Sequence, residues 1–287
     1  MTTEKRVALV TGCSSGIGEA TAWALAKEGY LVYATARNVE HLDSLRKKAS
    51  DSGLLLLARP LDVSKLGEID AVISEIEREA GRLDVLVNNA GYALFGALEE
   101  IPMEDVRREY DVNVFGLIAM SKAAIPLMRR NHGGTIVNIS SVAGRVPAPL
   151  MGAYCSTKFS VEALSLAMRA EVHQFGVRVV VIEPGPVNTK FSENAMKASG
   201  HIIRNSGSPY ANAYSSLRTM YENDGPEGAS ADRVAQVILR VIRARNPKSR
   251  YSIRARDKLL LMAGSLVPTR IGQRFVRGYF NLNPPDR

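Results

Sequence analysis

The stretch Val7-Ala8-Leu9-Val10-Thr11-Gly12-Cys13-Ser14-Ser15-Gly16-Ile17-Gly18 decides the fold. Its apolar start reads as a buried strand, its glycines as a turn, and Glu19 to Lys27 as the helix that follows. Glycine admits positive φ and lets another group approach the main chain. A helix start presents unpartnered N–H groups and the positive end of its dipole, so the assembly suits an anion such as a phosphate. The spacing Gly12-x-x-x-Gly16-x-Gly18 does not match G-x-G-x-x-G. Gly12, Ser14 and Gly16 also satisfy G-x-S-x-G, the nucleophile turn of α/β-hydrolases. That is the remote alternative, because such a turn follows several strands and this one ends the first. The His132-Gly133-Gly134 stretch also lies after the serine, although an oxyanion loop precedes it.

Outward from this turn, short apolar runs alternate with helical stretches: Leu31 to Thr35, Leu54 to Leu57, Leu83 to Val87, Thr135 to Ile139 and Val177 to Ile182. The runs are nearly continuous in apolar residues, as in a parallel sheet with helices on both faces. An α/β, doubly wound, Rossmann-like sheet of about seven strands follows, the seventh at Arg250 to Ile253 after a helix that Ser230 caps. Residues 1–257 read as one Rossmann-like domain. Within it, 188–228 loosens into Ser, Asn, Gly, Tyr and Met with weak periodicity and reads as a lid over the crevice. Residues 258–287 read as a basic amphipathic extension in which Leu259 to Met262, Ile271, Phe275, Val276, Tyr279 and Phe280 alternate with arginines.

Composition narrows the class. With 46% hydrophobic and 23% charged residues, the 287-residue chain is neither disordered nor fibrous. It has no apolar run long enough for a membrane span and no signal-peptide pattern at Met1, so the cytoplasm is the expected location. Cys13 and Cys155 form no C-x-x-C pair, and the four histidines show no ligand spacing, so no metal is expected. The net charge of +8 is local: Arg233 to Arg277 carries +11. No nucleic-acid motif accompanies it, and peripheral contact with an anionic membrane through the C-terminal segment is the alternative to a solvated face.

Two further motifs join the glycine turn. Asn88-Asn89-Ala90-Gly91 follows the fourth strand, and Ser141, Tyr154 and Lys158 follow the fifth. The three together, in this order over Lys5 to Pro186, resemble the short-chain dehydrogenase/reductase family, loosely its hydroxysteroid and retinol dehydrogenase branch. Tyr154 and Lys158 lie four apart in a helical stretch, hence on one face, where an ammonium stabilises a phenolate. The resemblance implies Tyr154 as proton donor, Ser141 as the polariser of the substrate oxygen, and Lys158 as the tuner of Tyr154 and holder of the nicotinamide ribose. Asn113, in Asp111-Val112-Asn113-Val114, matches the family's helix-kinking asparagine with its water-linked proton relay.

The resemblance also implies a dinucleotide held by Gly12, Ser14, Ser15, Gly16, Ile17 and Gly18 at the pyrophosphate. Asp62 and Val63 would lie at the adenine, Asn89, Ala90 and Gly91 along the adenosine, and Pro184, Gly185, Val187 and Thr189 at the carboxamide. The second strand ends Ala36-Arg37, with no acid for a ribose hydroxyl and a guanidinium suited to a 2′-phosphate, so NADP(H) is expected. A small-molecule carbonyl or alcohol is the expected substrate. A hydrophobic one fits Phe95, Val146, Pro147, Pro149, Leu150, Met151, Phe191, Met196, Tyr210 and Tyr214. The family implies a homodimer or homotetramer. The alternative from another class is a non-catalytic NADP-binding regulator or scaffold, against which the intact Ser141, Tyr154 and Lys158 argue.

Overall fold

Side chains of successive strand residues point to opposite faces of a sheet, and here both faces are covered. In strand β1 (Val7–Val10), Ala8 and Val10 join one apolar cluster while Val7 and Leu9 join another. The first cluster is closed by helix α1 (Gly16–Lys27), through Ala22 and Leu25, and by a late helix carrying Val234, Ile238 and Val241. The second is closed by two central helices through Ile69, Ile76, Met120 and Leu127. The computed structural model describes residues 5–222, 228–266 and 269–282.

The remaining strands are β2 (Leu31–Ala36), β3 (Leu56–Pro60), β4 (Val85–Asn88), β5 (Gly134–Ile139), β6 (Val177–Glu183), β7 (Val187–Asn188), β8 (Ala229–Ser230) and β9 (Arg250–Ser252). Seven form one parallel sheet in the order β3-β2-β1-β4-β5-β6-β9, and β7 pairs with β8 separately. The order reverses between β1 and β4, which opens a crevice at their C-terminal ends. That topology matches the doubly wound expectation and leaves the glycine turn on the first strand, so the hydrolase alternative falls. β3 begins later than the leucine run suggests. The Leu54 N–H still closes the turn after the preceding helix, and pairing with β2 then runs to Pro60, which an edge strand tolerates.

The helices after α1 are α2 (Asp43–Asp51), α3 (Leu66–Ala80), α4 (Met103–Tyr110), α5 (Gly116–Arg130) and α6 (Gly152–Glu171). They are followed by α7 (Phe191–Ala198), α8 (Gly200–Ile203), α9 (Ala211–Glu222), α10 (Ala231–Arg243), α11 (Ala255–Leu266) and α12 (Thr269–Tyr279). Ser230 caps α10 by accepting from the Arg233 N–H at 3.2 Å. The segment expected to be a loose lid is helical: α7, α8 and α9 bury Ala195, Ile202, Ile203, Ala213, Tyr214 and Leu217. Its weak periodicity reflects short helices ordered by what they pack on. Residues 223–227 of the expected lid, residues 283–287 of the extension and the side chains of Phe275 and Tyr279 lie outside the described residues.

Candidate active site

The turn after β1 is built for close approach. Gly12 and Gly16 have φ of 70° and 64°, and a Cβ on Gly18 would stand 2.3 Å from the Gly12 carbonyl oxygen and 2.5 Å from Asn89 Nδ2. Ser15 is the N-cap of α1, yet its side chain makes no capping bond, so the first N–H groups of the helix face the crevice uncapped. Ser14 is exposed and Ile17 packs on the first apolar cluster.

Asn89 stitches the turn to β4: its amide donates to the carbonyls of Thr11 at 2.9 Å and Gly12 at 3.0 Å. The Thr11 hydroxyl accepts from the Asn89 and Ala90 N–H groups, both at 3.0 Å. Thr11 escaped the sequence reading because a threonine between strand and glycine carries no signal of its own.

Arg37 is exposed beyond β2. Burial pushes the Asp62 carboxyl up, but hydrogen bonds from Ser64 and the charges of Lys65 and Arg37 outweigh it and hold the group below its usual range. Arg37 and Asp62 thus face the same end of the crevice. Val63 is buried, its carbonyl 2.8 Å from where a Cβ on Gly116 would sit. Thr189 lies against Gly16, with its Cγ2 2.9 Å from a Cβ built there, and its hydroxyl accepts from the Phe191 N–H at 3.2 Å. Pro184 is buried, and its carbonyl accepts from the Val142 N–H at 3.0 Å. Gly185 is crowded by Asp257 and Arg254 at the head of α11, and Val187 pairs with Ala229.

The catalytic candidates converge at the start of α6. Leu150 turns the chain there with a φ of 60°, and its carbonyl accepts from Gly96 N–H at 2.8 Å. Ser141 caps a short turn by accepting from the Ala143 N–H at 3.1 Å and donates to the Pro184 carbonyl at 3.4 Å, close enough for its hydroxyl to act on the phenol of Tyr154. Ser140 points elsewhere: its hydroxyl is buried beside Gly144, with no partner among the described residues. Lys158 Nζ donates to the Ile139 carbonyl at 2.9 Å and stands 5.8 Å from the Tyr154 ring centre.

Asn113 lies in a single π-helical turn, Asp111–Phe115, between α4 and α5. Its amide donates to the Tyr92 carbonyl at 2.8 Å and to the Thr157 hydroxyl at 3.1 Å, and its oxygen accepts from the Tyr92 N–H at 3.0 Å. A Cβ on Gly91 would stand 2.9 Å from that oxygen and 3.8 Å from Lys158 Nζ, so the loop passes closely there.

The electrostatics differ from the expectation that Lys158 draws the phenol of Tyr154 down. Burial dominates and pushes Tyr154 above the ordinary tyrosine range, while the Ser141 hydroxyl acts the other way. Tyr154 is therefore a protonated donor near neutral pH. Burial also lowers Lys158 to about 8, opposed by Glu109 and Glu162.

Helix α7 and the C-terminal segment pack near this centre. Phe191 lies 5.8 Å from Tyr154, ring to ring, and Phe280 and Val276 of the extension join the cluster around Leu94, Leu150 and Tyr154. Two expected pocket residues do other work. Phe95 stacks on Tyr221 at 5.1 Å, and the fully buried Tyr214 accepts from the Ala97 N–H at 3.0 Å and donates to Glu100. Both fasten α9 to the loop after β4.

The glycine-lined turn, the uncapped start of α1 and the Arg37 cation fit a phosphorylated dinucleotide. Lys158, with one acceptor among the described residues, has protons left for ribose hydroxyls. Comparisons with known proteins agree with this geometry. A model of the short chain dehydrogenase family matches residues 6–200. A 3-ketodihydrosphingosine reductase of Bacteroides thetaiotaomicron is 32% identical over 87% of this chain and 88% of its own. Estradiol 17-beta-dehydrogenase 1 of Rattus norvegicus is 34% identical over 86% of this chain and 73% of its own. Among solved structures, a short-chain dehydrogenase from Streptomyces avermitilis superposes with a TM-score of 0.77 at 29% identity, covering 96% of this chain and 99% of that one. A metagenomic short-chain oxidoreductase in complex with NADP superposes with a TM-score of 0.69 at 28% identity, covering 87% and 96%.

Proposed function

Because the chain belongs to the short-chain dehydrogenase family, we propose that it is an NADP(H)-dependent oxidoreductase acting on an apolar carbonyl compound or the corresponding alcohol. The observation that carries this reading is Tyr154, buried, under the influence of the Ser141 hydroxyl and one helical turn from Lys158. When bound, the nicotinamide cofactor supplies the hydride. Ser141 holds the substrate oxygen, and Tyr154 gives it a proton in the reducing direction and takes one in the oxidising direction. Lys158 orients the ribose, and Asn113 fixes the loop at Tyr92 against α6. Gly12, Ser15, Gly16 and Gly18 take the pyrophosphate, and Arg37 the 2′-phosphate. The NADP complex of a 28% identical protein supports that preference.

An apolar substrate is supported by the apolar cluster that contains Tyr154, with Leu94, Leu150, Met151, Met196 and Phe280 among its members, and by relatives named for ketodihydrosphingosine and estradiol. The direct test follows NADPH absorbance with a size-graded panel of ketones and aldehydes, with Tyr154→Phe as control. NADPH binding without turnover on any member would favour the binding-module reading.

We also propose a homo-oligomer formed through α4, α5 and α6, where Met103, Phe115, Phe159 and Leu166 are exposed. Light scattering of Phe115→Glu and Phe159→Glu variants tests it. The two buried, unpaired cysteines fit a reducing, cytoplasmic setting. Contact of the basic extension with anionic lipid rests on the exposed Leu259, Leu260, Met262 and Ile271 among exposed Arg and Lys. Sedimentation with phosphatidylglycerol vesicles checks it.

A further inference from the structure

Glu109 is the one residue of α4 buried completely, at 0% exposure, in a helix otherwise rich in exposed charge. One carboxyl oxygen accepts the Leu94 N–H at 3.1 Å. The other, Oε2, is buried without a hydrogen-bond partner among the described residues. Such an acceptor, cut off from water, costs stability unless a charge nearby compensates.

The position of Glu109 supplies that charge. It lies one turn before Asn113, at the end of α4 that meets α6. Its carboxyl acts electrostatically on Lys158, Tyr154 and Cys155 of α6 and on Tyr92 of the loop after β4. Of the groups facing it from these elements, only Lys158 is a cation. Within α4 itself, Arg108 and Asp105 pair with each other at the surface, where His201 also meets Asp105. The second acid acting on Lys158, Glu162, is held by Arg250 at 2.8 Å.

We propose that Glu109 is a positioning residue of the active site, the buried carboxyl that, once ionised, is the counter-charge to the ammonium of Lys158 next to Tyr154. This rests on the oxidoreductase reading above. Burial pushes the Glu109 carboxyl up to about 8, against the pull of the Leu94 N–H and of Lys158. Lys158, brought down to about 8, gives up its proton in the same range. The two groups therefore titrate as a pair, and each stabilises the charged form of the other. As the pH falls below that range the carboxyl becomes neutral while Lys158 stays charged. As it rises above, the carboxylate delays the loss of the lysine proton.

The test is Glu109→Gln, which keeps the acceptor for Leu94 and removes only the charge. The alkaline limb of the kcat–pH profile for carbonyl reduction should move to lower pH by roughly one unit, and Glu109→Asp should bring it back. A Glu109→Gln profile superimposable on wild type, at unchanged NADPH affinity, overturns the proposal and leaves the oxidoreductase reading standing. No wild-type turnover on any carbonyl removes that reading instead. The pair is then read in the infrared, from the protonated-carboxyl band that Glu109→Gln abolishes. Lys158→Met should move its titration to higher pH, because the cation that favours the carboxylate is gone. A band that does not move overturns the coupling whether or not a substrate is known.

Discussion

Asn113 and Thr157 are joined side chain to side chain, the amide donating to the hydroxyl at 3.1 Å. That hydroxyl donates in turn to the Tyr154 carbonyl at 2.8 Å. One π-helical turn is thereby tied to the turn of α6 that carries Tyr154 and Lys158. Thr157→Val keeps the volume but leaves the Asn113 amide short of an acceptor in a fully buried site. The expected cost is about 1–3 kcal/mol of stability. The slackened geometry should also lower kcat by roughly tenfold. Thermal melts and steady-state rates with saturating NADPH measure both.

Tyr154→Phe keeps the ring that packs on Phe191 and removes the proton. kcat should fall by about 10²–10⁴-fold, while NADPH affinity, read by fluorescence titration, stays near wild type. Unchanged turnover removes Tyr154 as the donor.

Arg37→Ala should weaken NADPH binding by roughly 10–100-fold, the worth of about 1.5–3 kcal/mol for hydrogen bonds to a charged group. NADH, which lacks the 2′-phosphate, should be affected little. Calorimetric titration of both cofactors separates a phosphate contact from a stacking role, which would weaken the two alike.

Two glycines make opposite predictions. A Cβ on Gly18 meets the main chain of Gly12 and the amide of Asn89, neither of which is free to retreat. Gly18→Ala should therefore abolish NADPH binding and lower the melting temperature. Gly67, in the first turn of α3, has nothing within 4 Å of the same position. Gly67→Ala should raise stability by about 0.5–1 kcal/mol through helix propensity alone. Differential scanning fluorimetry with and without NADPH distinguishes them.

The raised carboxyl of Glu109 sets a pH dependence of stability. Its value in the unfolded chain is near the ordinary 4.5 and in the folded protein about 8. Between these the unfolded state has given up a proton that the native state keeps, so stability is fullest below 4.5 and is lost as pH rises towards 8. The melting temperature should fall across pH 5–8 by roughly 5 °C, and Glu109→Gln should flatten the slope. A slope equal in both proteins assigns it to other groups.

How much of this could be read from the chain depends on which interactions are local. Glycine spacing, the four-residue step from Tyr154 to Lys158 and the cap at Ser230 are short-range constraints, visible in neighbouring letters. The strands were legible for the same reason, since burial on both faces of a parallel sheet leaves continuous apolar runs. The order of residues 188–222 was not, because α7 and α8 are too short to show a period and the segment is held by Phe95 and Glu100, about a hundred residues away.

The sequence by itself determined the dinucleotide fold, the family and the identities of Ser141, Tyr154 and Lys158, because each is fixed by spacing along one strand, turn or helix. Only the tertiary structure decided what surrounds them. It buried Tyr154 beside Phe191, set Ser141 rather than Ser140 where it acts on the phenol, engaged Phe95 with Tyr221 and Tyr214 with Glu100, and buried Glu109 where its carboxyl acts on Lys158. Burial and charge at a site are sums over every element packed against it, and no stretch of chain contains that sum.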